Sequence, residues 1–91
     1  MTKVILTCAV EDPAKWEAGF RSHADLFRSI SISKPIHFSV TDNDVTICIE
    51  PDDLQTYMAS FDMPEIGEAM ANDGVIRESV KVVVLDKSLE V

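Results

Sequence analysis

Basic residues are scarce in this chain. Eight Lys and Arg stand against 16 Asp and Glu over 91 residues, a formal charge of -8. A surface of that sign repels phosphate backbones and anionic lipid, which argues against nucleic acid and membranes as partners. Long apolar runs are missing as well: nothing approaches the ~18 residues of a membrane span. Met1-Thr2-Lys3 leads straight into β-prone sequence without the charged and apolar regions of a signal peptide, so a cytoplasmic location is expected. The two cysteines, Cys8 and Cys48, match no C-x-x-C or metal spacing and are expected to be reduced and buried. No Walker A, Rossmann, G-x-S-x-G or H-E-x-x-H pattern occurs, so no cofactor and no metal are implied. Asp42, Asp44, Asp52 and Asp53 lack the Gly and distal Glu of a calcium loop.

What is present is apolar content, 46% of the residues, enough for the core of a single domain spanning residues 1–91. Lys3 to Val10 is β-branched and apolar on both faces, with Val4, Leu6, Cys8 and Val10 on one side and Ile5, Thr7 and Ala9 on the other. Asp12-Pro13 starts a helix expected to run to about Arg28 or Ile30, Asp as cap and Pro at the first helical position. Ile36, Phe38 and Val40 alternate with His37, Ser39 and Thr41; Asp42-Asn43-Asp44 turns the chain; Val45, Ile47 and Ile49 return as a hairpin. Pro51-Asp52 opens a second helix, with Gln55 reaching back to Asp52. Its apolar stripe is Leu54, Tyr57, Met58 and Phe61. It breaks near Phe61-Asp62, resumes after Pro64, and ends before Gly74; Val80 to Leu85 is the last strand.

The order is therefore β-α-β-β-α-β, an α+β domain. Two helical segments cover one face of a four-stranded antiparallel sheet. The apolar residues on the other face call for a cover, and a second copy of the chain supplies it.

The residues that can carry chemistry lie on the first helix. Trp16, Phe20, His23 and Phe27 recur at a 4-3-4 spacing, and His23 points within about 40° of the mean direction of the three aromatics. A histidine aimed at the apolar interior is either a core hydrogen-bonder or the base or anchor of a small-molecule cavity. Trp16, Phe20 and Phe27 suit a flat ring, with Tyr57, Met58 and Phe61 closing the cavity from the second helix. His37 falls on the polar side of its strand and reads as surface. Glu50 ends a strand beside a helix start; it reads as solvated or capping, and alternatively as an assistant to His23.

Asp12-Pro13-Ala14-Lys15-Trp16 through Phe20, Ser22-His23-Ala24-Asp25, Glu50 before Asp52-Asp53-Leu54, Pro64-Glu65-Ile66 through Ala69-Met70, and Gly74-Val75 together resemble the dimeric α+β barrel superfamily of ferredoxin-like proteins, closest to small members of roughly 90 residues. The resemblance covers nearly the whole chain. It implies a homodimer with a cavity between sheet and helices in each subunit. That superfamily holds cofactor-independent monooxygenases, cyclases, isomerases, haem-degrading enzymes and proteins without known activity, so the fold does not select among them. Three roles follow as expectations: an enzyme with His23 as catalytic base and Trp16, Phe20, Phe27, Tyr57 and Glu50 around the substrate; a carrier of a small hydrophobic or aromatic ligand; or a protein-interaction module. One departure from relatives is the lack of a Gly between the first helix and the second strand, which leaves the path of Ser29 to Ser33 open.

Overall fold

The computed structural model describes residues 2–91. Four strands, β1 (Lys3–Ala9), β2 (His37–Thr41), β3 (Asp44–Ile49) and β4 (Lys81–Leu85), form one antiparallel sheet in the order β2-β3-β1-β4. Period-two alternation sorts the side chains. Val4, Leu6 and Cys8 of β1 and Val45, Ile47 and Ile49 of β3 are buried on the inner face. The register lines up Val82, Leu6, Ile47 and Phe38 across all four strands of that face.

Four helical segments pack over the inner face: α1 (Pro13–Arg21), α2 (Ala24–Ser29), α3 (Leu54–Ala59) and α4 (Pro64–Asn72). Asp12 caps α1, its carboxylate accepting from the Ala14 and Lys15 amides. Asp53, rather than the expected Asp52, caps α3 through Gln55 N–H and the Thr56 hydroxyl. Asp52 lies instead 3.6 Å from Lys34 Nζ. Among the described residues no helix is long and apolar enough to cross a membrane.

The expected single first helix is two. The Ser22 amide and hydroxyl both donate to the Gly19 carbonyl, and the His23 amide donates to Phe20. These i→i−3 bonds tighten the turn and end α1, since a Ser side chain competes with the helical ladder for the same carbonyl. His23 therefore occupies the junction, with φ -98° and ψ 22°. The missing glycine after α2 is replaced by Ser31, which itself takes φ 75° and binds the start of the α3 segment through its carbonyl and hydroxyl.

The outer sheet face carries His37, Cys48, Ile5 and Val83 in one row. Val83 is 54% and Leu85 45% exposed, while Ile5 and Cys48 are half-buried. The two cysteines thus lie on opposite faces. Cys8 is buried as expected, but Cys48 is less so, because alternation in β3 turns it away from the helices.

Candidate functional site

Trp16 anchors the inner face and is 2% exposed. Its ring stacks on Phe20, with centroids 4.7 Å apart and planes inclined by 20°. Phe20 in turn meets Phe27 at 5.0 Å and Phe38 at 5.2 Å. Below these rings a cavity of about 80 Å³ lies between sheet and helices. Strand residues such as Leu6 and Ile47 form its floor. Trp16, Phe20, His23 and Phe27 border it from one side and Tyr57 and Phe61 from the other. Two residues grouped with these from the sequence lie elsewhere. Met58 is 37% exposed, on the far side of α3. The carboxylate of Glu50 lies 3.7 Å from Lys34 Nζ, outside the cavity wall. His37 is exposed on the outer face.

The structure adds a group that the sequence did not single out. Asp73, at the C-terminal end of α4, is 7% exposed and borders the same cavity. A carboxylate there faces the negative end of a helix, an unfavourable place for it. Its Oδ2 lies 3.3 Å from His23 Nε2. That nitrogen is buried, and the contact is not aligned as a hydrogen bond. Gly19 creates the room: a Cβ at that position would sit 1.9 Å from Asp73 Oδ1 and 2.6 Å from its Cγ. The carboxylate thus rests directly on the α1 backbone one turn before His23. A glycine within an amphipathic helix signals close approach of another group, and Gly19 carried that signal.

The remaining polar groups on the cavity are few. Ser60, 2% exposed, donates its hydroxyl to the Tyr57 carbonyl. Burial pushes the Cys8 thiol pKa up, with the nearby Asp44 charge adding to it. Burial raises the Tyr57 phenol to about 12. A site of this kind can take a proton at an imidazole whose far nitrogen faces a carboxylate, within walls that are otherwise apolar. Among the described residues no group of three or more His, Cys, Asp or Glu side chains is gathered as metal ligands would be.

The raised phenol carries a prediction. Tyr57 ionises near 10 when unfolded and near 12 when folded, so its contribution to stability is complete below pH 10 and is lost as pH rises from about 10 to about 12. The loss attributable to this group is on the order of 2–3 kcal/mol. Urea unfolding followed from pH 9 to 12 is expected to show that slope, and Tyr57→Phe to flatten it. An unchanged slope in the variant would remove Tyr57 as its source.

The sheet order and helix placement define a ferredoxin-like α+β fold, and solved structures share it. A Bordetella bronchiseptica protein provisionally assigned to the antibiotic biosynthesis monooxygenases superposes with a TM-score of 0.75 at 17% identity, over 97% of both chains. SnoaB, a cofactor-independent oxygenase from Streptomyces nogalater, gives 0.72 at 13% identity, over 98% of this chain and 94% of that one. Tetracenomycin F2 cyclase from Streptomyces glaucescens, a type-II polyketide cyclase, gives 0.63 at 16% identity, over 97% and 98%. No protein-family model matches the chain, and no curated protein matches it in sequence.

Proposed function

We propose that this protein is a homodimeric, small-molecule enzyme of the cofactor-independent oxygenase, cyclase or isomerase type, with His23 as its base. The observation that carries the reading is the His23–Asp73 pair on an apolar, aromatic-walled cavity. With its carboxylate 3.3 Å from Nε2, Asp73 would favour the tautomer that carries its proton there once the contact aligns, leaving Nδ1 as the basic atom. Nδ1 takes a proton from an activated C–H or O–H of the substrate; the imidazolium that forms is stabilised by Asp73, and the substrate is left as an enolate or phenolate. The electron pair on that anion is what oxygenation, cyclisation or isomerisation uses, so the substrate itself supplies the reactivity. Structural neighbours with oxygenase and cyclase activities support this class of chemistry.

A second reading, ligand binding without turnover, is favoured by a lining that is apolar almost throughout. The cavity, about 80 Å³, is smaller than the ~150 Å³ that accommodates benzene in an apolar protein interior, so a ring enters only where the wall side chains move. A single experiment separates the two. 2-Tetralone, an enolisable aromatic ketone, is incubated with the protein in deuterated water and its C–H exchange followed by NMR. The wild type is expected to accelerate exchange, and His23→Phe to lose about 10²-fold or more of that acceleration while folding normally. Exchange that persists unchanged in His23→Phe would end the assignment of His23 as base. No acceleration, with the ketone bound, would favour the carrier.

A further inference from the structure

A second, larger space adjoins the His23 cavity. It is a surface groove of about 380 Å³ between α1, α2, the turn after α2, and β2. From it we infer the substrate class: a planar aromatic molecule bearing an anionic group, its charge held in the groove and its ring directed at His23. This rests on the reading that the cavity admits a small molecule.

Charge is the first argument. The chain has twice as many acidic as basic residues, yet no acidic residue lines the groove, and Arg21, Arg28 and Lys34 do. Each has a carboxylate neighbour outside it. Arg21 Nε binds Glu17 at 2.9 Å, Arg28 pairs with Asp25, and Lys34 lies 3.7 Å from Glu50 and 3.6 Å from Asp52. The Arg21 and Arg28 pairs are solvent-exposed, worth at most about 1 kcal/mol each, while Lys34 is half-buried between two carboxylates. Glu17 engages only Nε of Arg21, leaving the other guanidinium N–H groups for a ligand.

The second argument is the wall. Arg21 sits over the Phe38 ring, 5.3 Å from its centroid, so cationic and aromatic surfaces meet in the groove. Phe20, Phe27, Ile32 and Ile36 line both the groove and the cavity. The partition is therefore one side chain thick. Phe20 and Phe27 are only half-buried, so rotation of these rings is the movement that would join the two spaces. A ligand with its anion beside Arg28 and Lys34 then places its ring between the phenyl groups, with its far end toward His23.

Calorimetric titration of 2-naphthoate against its neutral counterpart 2-naphthamide tests this. The naphthoate is expected to bind about tenfold more tightly, a preference of about 1.4 kcal/mol. That preference should shrink between about 20 and 200 mM salt and approach unity in the Arg28→Gln/Lys34→Gln double variant, while naphthamide binding stays constant. Equal affinities in the wild type, or a preference untouched by the double variant, would overturn the anion site and leave the cavity reading standing. Failure of both compounds to bind would overturn the cavity reading and this inference with it.

Discussion

Gly19→Ala is expected to destabilise the protein by about 1–2 kcal/mol, against the direction that helix propensity dictates. At an ordinary helical position the same change gains up to about 1 kcal/mol, because alanine loses less backbone entropy on folding. Here the new methyl would meet Asp73 Oδ1 at 1.9 Å. Either α1 shifts off α4 or the carboxylate leaves its seat, and overpacking of this kind costs about 1–3 kcal/mol, which the propensity gain only partly offsets. The cause is isolated by repeating the change in an Asp73→Ala background. The three atoms that crowd the position all belong to the Asp73 carboxylate, and truncation removes them. There Gly19→Ala should be neutral or stabilising, giving a coupling of about 1–3 kcal/mol between the two sites. Urea titrations of the four proteins of the cycle measure it. An equal effect of Gly19→Ala in both backgrounds would show that the carboxylate does not rest on the helix. The cycle has a second readout at His23. If Asp73 sets the imidazole tautomer, ¹⁵N spectra of the Asp73→Ala protein should show Nε2–H giving way to Nδ1–H even where stability is restored.

This pair shows where sequence reasoning stops. Trp16, Phe20, His23 and Phe27 were legible together because spacing on one helix is a local property, and the 3.6-residue period survives a break of one turn at Ser22. The strand faces were legible for the same reason, with Val4, Leu6 and Cys8 falling on one side by alternation alone. Asp73 has no such local signature. It lies 50 residues from His23, and next to Gly74 it reads as an ordinary polar helix end. Only the packing of α4 on α1 brings it to the imidazole. Glu50 drew attention for the opposite reason: its place at a strand end looked functional locally, but Lys34 in the turn after α2 takes it up. The helix break itself hinged on the Ser22 hydroxyl choosing the Gly19 carbonyl, a competition that composition does not reveal.

Replacing Ile5 and Val83 together by Asp is expected to convert the proposed homodimer into monomers, raising its dissociation constant by a factor on the order of 10³ or more. The two residues are cross-strand neighbours on the outer face, beside Cys48. The helices leave that face open, and Val83 and Leu85, at 54% and 45% exposure, are large apolar groups on an otherwise acidic protein. Sheet-to-sheet association of two copies would bury on the order of 1,200–2,000 Å², the usual size of a stable interface. Each protomer of the variant would bring two carboxylates into that contact, four per dimer, without cations sufficient to pair them. The inner face is untouched, so the variant should keep its fold. Sedimentation velocity at micromolar concentration reads the outcome, and Cys48 supplies an independent reporter. In a dimer joined through this face its thiol is covered, so reaction with a thiol reagent should be slow at high protein concentration and accelerate on dilution or in the variant. Cys8, buried among the inner residues with its pKa raised by burial, should react slowly throughout. A wild-type protein that sediments as a monomer would remove the dimer. A variant that still dimerises, with Cys48 reactive at every concentration, would move the interface to another surface.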